Sequence, residues 1–416
     1  MRKKKNEMGF SIVKVSSFYH GFLLDHFRKH SYKQDVTYAK MRSDLMLANW
    51  GGADYFGKYL VDMGVDFKEF IHNAAPMQKQ WAAENGINGH LSPTDIVFEQ
   101  IKKEKPDVVY LQDSLGFPSD WIKELKNKVP SIKLIFGWCA SPYGENDLNK
   151  FRSFDFMLTC SQTFLNDFKS KSIHSHLLLH GFDPEVLNQI DVKPFNERWD
   201  VIFAGSLMQG EGFHNQRTDI IVNLLNGGID LKLLTLLPSY KKNTIKKILG
   251  SSVNSLNAIG FKNLIERNQT LSKAARWKNI SMKKIFNKTL KNVAKPPVYG
   301  NDFFREIANA KINLNIHIDV AGDYAGNIRL FEVTGVGSCL LTDWKKNIVD
   351  IFLPDEEIVT FKSKEECLSK VRYLLNHPSE IKRISEAGKK RCLRDHSYEV
   401  RSKQFYEIIV NELKCR

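Results

Sequence analysis

The sequence predicts an α/β protein of two domains, each built on a parallel β-sheet. Three observations carry that expectation. The chain has 416 residues, too many for one ordinary core and suited to two domains of roughly 180–200 residues each. Its apolar and aromatic contents, 42% and 11%, are those of a core-forming chain and not of a disordered one. Short apolar runs alternate with helical patterns, and strands alternating with helices give a parallel sheet covered on both faces.

In the first half the strand candidates are Ser11–Val15, Val108–Leu111, Lys133–Phe136 and Phe156–Thr159, each short, apolar and bounded by polar or turn residues. Helical patterns fall between them at Thr94–Glu104, opened by the cap-like Ser92-Pro93-Thr94, and at Pro118–Lys128. His180-Gly181-Phe182-Asp183-Pro184 reads as a domain boundary, because a glycine and an Asp-Pro step precede a polar stretch running to Trp199. A second series starts at Asp200–Ser206 and adds strands Leu231–Leu236, Ile312–Ile316, Ser338–Thr342 and Glu357–Thr360. Helices are expected at Arg329–Thr334, Lys364–Asn376, Pro378–Arg391 and Tyr398–Leu413. The expected division is residues 1–183, a linker at 184–199, residues 200–397, and a C-terminal helix at 398–416 that packs back towards the first domain.

The net charge of +14 is local. Between Lys241 and Lys295, fourteen Lys and Arg face one acid, Glu266, so +13 sits there and the rest of the chain is nearly neutral. Segment 241–295 interrupts the strand–helix alternation, which marks it as an insert, helical in parts. Its readings are a solvated basic face, contact with an anionic membrane surface, or a site for an anionic acceptor. Nucleic-acid binding is disfavoured: aromatics in the segment are few (Phe261, Trp277, Phe286) and no nucleic-acid module is recognisable. The six cysteines are scattered, with no CxxC pair and no adjoining His cluster, which argues against a zinc site or disulfide framework and for a reducing compartment. The basic start Met1–Lys5 has no apolar h-region behind it. The expected location is cytoplasmic, with peripheral contact at the inner face of the membrane through 241–295.

The GxGxxG fingerprint is absent throughout, which argues against a nicotinamide enzyme. Gly205-Ser206, directly after an apolar strand, resembles the tight turn that brings a helix N-terminus near phosphate; a plain connection looks the same. Arg217, twelve residues past Gly205, is either a phosphate ligand or a solvated helix-face arginine. The stretch from Asn315 to Gly337 says more. A buried-type strand ends in polar residues, a loop with Gly322 and Gly326 follows, and a helix is expected to open near Asn327-Ile328. Backbone N–H groups and the helix dipole would then face a diphosphate. Arg329 brings a permanent charge and a planar fork to phosphate oxygens, and Glu332, one turn on, can accept paired hydrogen bonds from ribose hydroxyls. The competing reading is an ordinary amphipathic helix with an internal Arg329–Glu332 ion pair at i,i+3.

From Asn327 onward, NIRLFEVTGVGSCLLTDW followed by VRYLLNHPSEIKRISEAGKKRCLRDHSYEVRSKQFYEII resembles the C-terminal domain of the group 1 glycosyltransferase superfamily. The stretch NWGGADYFGKYLVDMGVDFKEFIHNAAPMQKQWAAENG is similar to the N-terminal domain of its CgeB-like (spore-maturation-protein) branch; the basic insert falls outside the resemblance. The resemblance implies the GT-B architecture, two facing Rossmann-like domains with a nucleoside-diphosphate sugar held mainly by the second. It implies that Glu332 is the second acid of the EX7E donor motif, on the ribose. At the place of the first acid stands Tyr324, with Asp323 beside it, out of step by one.

The activity implied is transfer of a hexosyl residue to a glycan or glycoconjugate acceptor. No cofactor or metal is expected, and no Asp-x-Asp triplet occurs in the chain. The donor set is Gly205, Ser206, Arg217, Asn327, Ile328, Arg329 and Glu332. Acceptor-side candidates follow the N-terminal strands: Ser16, Ser17, His20, Gln112, Asp113, Trp138 and Ser141. His20 or Asp113 would serve as general base if transfer inverts the sugar; retention, which the superfamily favours, needs no such base. Trp50-Gly51-Gly52 with Asp54, and Asn73 with Gln78 and Trp81, read either as carbohydrate surface or as core. Two rival readings are a nucleotide-sugar epimerase or hydrolase of the same fold, and an inactive glycosyltransferase-like binding partner, the latter motivated by Tyr324.

Overall fold

The computed structural model describes residues 9–33, 35–52, 54–87, 91–237, 240–261, 265, 271, 274–275, 277 and 288–416; Met1–Lys5, Glu266 and Phe286 lie outside them. In the first sheet, β1 (Ser11–Ser16), β2 (Asp66–Ile71), β3 (Val108–Leu111), β4 (Leu134–Trp138), β5 (Phe156–Thr159) and β6 (Ser175–Leu177) run parallel in the order β2-β1-β3-β4-β5-β6. Every residue of β3 and β5 is buried, which is why VVYL and FMLT show no polar alternation. Two strands escape the sequence reading. The charges of β2, DFKEFI, make sense only once Glu69 is seen paired with Lys14. β6 is an edge strand of three residues, too short for a periodic signal. The helix Pro93–Glu104 opens with a capping box: Ser92 Oγ accepts from Asp95 N at 3.2 Å and Asp95 accepts from Ser92 N at 3.1 Å.

In the second sheet, β7 (Trp199–Ala204), β8 (Leu231–Leu234), β9 (Ala294–Lys295), β10 (Ala310–Asn315), β11 (Cys339–Asp343) and β12 (Val359–Phe361) are again parallel, in the order β12-β11-β10-β7-β8-β9. The chain moves from β7 outward through β8 and β9, then returns to the other side of β7 for β10. Connections diverge there, as they do between β1 and β3 in the first sheet. A crevice opens at the carboxyl ends of such strand pairs, and open α/β sheets take their ligands in it. The basic segment contributes to this sheet: after helices Tyr240–Leu256 and Lys288–Val293 its last residues form β9 beside β8. On Tyr240–Leu256, Val253 packs with Ile265 and Ala274, whereas Ile245, Ile248 and Leu249 are exposed.

Two chain crossings lie side by side between the domains. Phe182 N donates to His396 O and Tyr398 N donates to Phe182 O, both at 2.9 Å. The helix Tyr398–Lys414 then packs on the helix Tyr55–Asp62 of the first domain, with Tyr398 against Tyr55 and Phe56, and Phe405 against Phe56. Phe182 also fills the space over Gly335, where any Cβ would collide with its ring. Gly337 ends the helix Arg329–Val336 in the left-handed region at φ +82°. One hydrophobic cluster therefore runs through both domains. All six cysteines are free, five of them buried. Among the described residues no helix is long and apolar enough to cross a membrane.

Candidate functional site

The carboxyl ends of β7 and β10 are tied together by Arg217. Its Nε and Nη2 donate to Ile316 O at 3.0 and 2.5 Å, and its Nη1 donates to Ser206 O at 2.9 Å. The guanidinium lies 5.5 Å from the Phe203 ring, and burial lowers its pKa to about 10. Arg217 is thus a clamp across the crevice floor as well as a cation lining it. The Gly205-Ser206 turn departs from expectation. Gly205 N donates to Leu234 O at 3.1 Å, so the sheet's hydrogen bonding runs one residue past β7 and this amide is not available to a phosphate. The following helix opens only at Arg217, after a loop, so no helix N-terminus stands at the turn.

Asn327 exchanges amide hydrogen bonds with Asn315 at 2.7 and 3.4 Å, which fixes the start of helix Arg329–Val336 over the end of β10. The amides of Leu330, Phe331 and Glu332 donate to Asn327 O, Ile328 O and Ile328 O at 3.3, 3.0 and 3.1 Å, so the crevice is met by Asn327, Ile328 and Arg329 at the helix opening. Arg329 Nη2 donates to Ala204 O at 3.3 Å, and its guanidinium lies 4.1 Å from the Phe303 ring. Its Nη1 stands 2.9 Å from Glu332 Oε2, so the i,i+3 ion pair is formed. Burial raises the Glu332 pKa against the opposing pull of Arg329.

Two cavities of about 420 and 440 Å³ share a partition of Tyr19, Trp50, Phe303, Ile328 and Arg329. The larger is lined by Gly205, Ser206, Arg217 and Asn327 of the second domain. In it Thr235 Oγ1 and His214 Nδ1 are buried without a hydrogen-bond partner among the described residues. Burial, helped by Arg217, lowers the His214 pKa to about 3, so the ring is neutral. Orphaned polar atoms on a cavity wall are what a hydrogen-bonding ligand satisfies. The other cavity lies between the domains, with Glu332 on one side and Lys14, Asp113, Trp138 and His180 on the other. Lys14 and Glu69 form a buried ion pair at 2.9 Å, and Glu69 also accepts from Ser16 Oγ at 2.5 Å and Asp54 N at 3.1 Å. Asp113 accepts from Ser17 Oγ at 3.0 Å, with His72 Nε2 3.8 Å away. Burial, then Arg401, lowers the His180 pKa to about 4.

Ser17, Gln112, Asp113, Trp138, Ser141 and Trp50-Gly51-Gly52 all line the inter-domain cavity. His20 does not: it is the exposed first residue of helix His20–His30, and Tyr19 takes the wall position beside it. Asn73, Gln78 and Trp81 support the scaffold: Asn73 exchanges hydrogen bonds with Phe18, Gln78 donates to Ile71 O, and Trp81 packs with Ile96. Asp323 does not stand in for the missing acid; it sits at the surface, 2.6 Å from Lys346. The loop 319–326 is fastened instead to the first domain, where Thr163 Oγ1 donates to Ala321 O and a Cβ on Gly326 would collide with Cys160 O. Lys14, Tyr19, His180, His214, Thr235 and Phe303 were not anticipated, and for all but Lys14 nothing local separates them from core or loop residues. Lys14 alone carried a signal, a lysine inside an apolar strand run.

A family described as Glycosyl transferase-like matches residues 250–407, a span that contains Arg329 and Glu332 and begins inside the basic segment. Solved structures are similar over nearly the whole chain. A glycosyltransferase from Rickettsia africae superposes with a TM-score of 0.54 at 11% identity, covering 98% of this chain and 99% of its own. An alpha-glucosyltransferase in complex with UDP-glucose and DNA gives 0.57 at 11% identity, covering 97% and 100%. HepE from Anabaena, in complex with UDP and glucose, gives 0.52 at 10% identity, covering 97% and 100%. No curated protein is a significant sequence match. The chain has the GT-B fold, and its second domain carries the match to a glycosyl transferase-like family.

Proposed function

We propose that the chain is a glycosyltransferase that holds a nucleoside-diphosphate sugar against the second domain and its acceptor against the first. The observation that carries this reading is the pair of cavities meeting at Arg329. A diphosphate there finds a fixed cation and the opening of a helix, and charge held in place beforehand stabilises a leaving group without reorganisation. Glu332, in the wall of the same cleft, takes the ribose hydroxyls, and Arg217 adds positive field from below. The proposal includes retention, hexosyl transfer without a metal, the CgeB-like branch and a surface-glycan or glycoconjugate acceptor. Under retention the acceptor proton passes to the departing phosphate and Asp113 orients the acceptor; under inversion Asp113 is the base.

Relatives of this fold are known with UDP, which makes UDP the first nucleotide to test. UDP is expected to raise the thermal midpoint by mass action. Glu332→Ala should weaken UDP binding about tenfold or more, the size of a charged hydrogen bond, with the fold intact. Unchanged affinity would remove Glu332 from the ribose. Transfer should persist in EDTA. A second reading, a binding partner without transfer, is favoured by loop 319–326: Asp319 is bonded to Asn215 and Asp323 to Lys346, so neither acid is offered to the cleft. Normal UDP affinity with no transfer to any acceptor selects it.

The basic segment fits an anionic membrane surface, since Lys241, Lys242, Lys246 and Lys247 accompany the exposed Ile245, Ile248 and Leu249 on one helix. The chain should sediment with phosphatidylglycerol vesicles at low salt and stay in solution with phosphatidylcholine alone. No binding to either points to a solvated basic face.

A further inference from the structure

We propose that His174, His176 and Glu412 form a binding site for a divalent transition metal that fastens the C-terminal helix to the edge of the first sheet. His176 is the middle residue of β6 and His174 immediately precedes that strand, and the two rings lie together with centroids 4.9 Å apart. Glu412 reaches that face from the last turns of helix Tyr398–Lys414. Its Oε1 stands 2.7 Å from the Nε2 of each histidine, and the ligand atoms of all three residues lie within 4.8 Å of one another. The carboxyl end of β6 leads to Leu178 and His180 in the inter-domain cavity, whereas the histidine pair sits at the strand's beginning, outside it.

Two imidazole nitrogens and one carboxylate oxygen are a donor set for zinc, nickel or cobalt, with the remaining positions left to water. Calcium and magnesium prefer all-oxygen sets. The ligands are partly held in place: the Phe156 ring meets His174 and His176 edge-on at centroid distances of 6.2 and 5.3 Å. Glu412 is only 17% exposed, so its carboxylate is held against the two rings. Each Nε2 contact to one carboxylate oxygen uses a ring proton that an ion would replace. With bonds of about 2.0–2.1 Å in tetrahedral geometry, the nitrogen–oxygen separations open to roughly 3.3 Å, a shift of a few tenths of an ångström per side chain. The helix concerned is the one that follows the second inter-domain crossing, so an ion here ties that crossing to the sheet edge.

The test uses the whole 416-residue chain in a Cys415→Ser background, which removes the exposed thiol as a competing ligand. After chelator treatment, calorimetric titration with Zn2+ and with Ni2+ is expected to show one saturable site per chain and a raised thermal midpoint. His174→Ala and Glu412→Gln should each weaken binding by about tenfold or more, since even the partners of ligands are worth that much. His176→Gln keeps a donor for Glu412, so it should preserve the midpoint in chelator while abolishing the rise with Zn2+. Absence of saturable binding of both ions overturns the proposal, as does binding unchanged in the His174→Ala/His176→Ala double variant.

Discussion

On the second-domain side of the cleft, Arg217 and Arg329 donate to main-chain carbonyls of Ser206, Ile316 and Ala204, with Glu332 paired to Arg329 and with Asp343 and Asp319 acting on Arg217 from further off. On the first-domain side, Lys14 is closed on Glu69 and Asp113 is bonded to Ser17. The topology of the two walls is similar and their electrostatics differ. Carbonyls orient a guanidinium without cancelling its charge, so Arg217 leaves a positive charge in the second wall beside the mutually paired Arg329 and Glu332, suited to a phosphorylated ligand. An ion pair buried in the first wall cancels itself and leaves the Asp113 carboxylate among hydroxyls, amides and rings at the surface, suited to a polyhydroxyl ligand. What distinguishes the walls is how each charge is partnered, not how many charges each has.

The largest test of this contrast is Glu69→Ala. It leaves the Lys14 ammonium buried without its partner and should destabilise the fold by about 3–5 kcal/mol in chemical denaturation, with UDP affinity of the folded protein retained. A loss below about 1 kcal/mol, the range of exposed pairs, would mean that Lys14 is solvated through the cavity and the first wall is not self-cancelled. Arg329→Ala should act the other way, lowering kcat/KM by about 10²–10³ with a smaller change in stability, as removal of one preorganised donor does. A loss below tenfold would shift the anion-binding role to Arg217. The smallest effect is a pH dependence. His180 and His214 have folded pKa values near 4 and 3, below the ordinary histidine value of about 6.5. The unfolded chain therefore binds more protons in that window, so stability is present above about pH 6.5 and falls as pH drops towards 4. His180→Asn and His214→Asn should each flatten that slope in denaturation curves, and an unaltered slope in both would show that neither ring is held neutral by its wall.

The legible part of the fold was what short stretches encode. Val108–Leu111 and Phe156–Thr159 were readable as strands to the residue because burial on both faces leaves a continuous apolar run. The capped start at Ser92 and the helix after Asn327 were readable because capping and apolar periodicity are local. β2 was not, since half its residues are charged and Glu69 is tolerable inside only through a lysine on another strand. The site divided the same way. The position of Asn327, Ile328, Arg329 and Glu332 on the cavity walls agrees with the layout of their segment, but the loss of the Gly205 amide to Leu234, the outward turn of Asp323 and the exposure of His20 were not legible.

The sequence by itself determined two parallel sheets, the switch between them and the helix that brings Arg329 and Glu332 to the cleft. Those follow from periodicity and turn chemistry acting over a few residues. Tertiary structure alone decided the partners: Arg217 with Ile316, Lys14 with Glu69, Phe182 with Gly335, and His174 and His176 with Glu412. Glu412 lies 238 and 236 residues from its two histidines, and no local pattern records a contact that only the second crossing brings about.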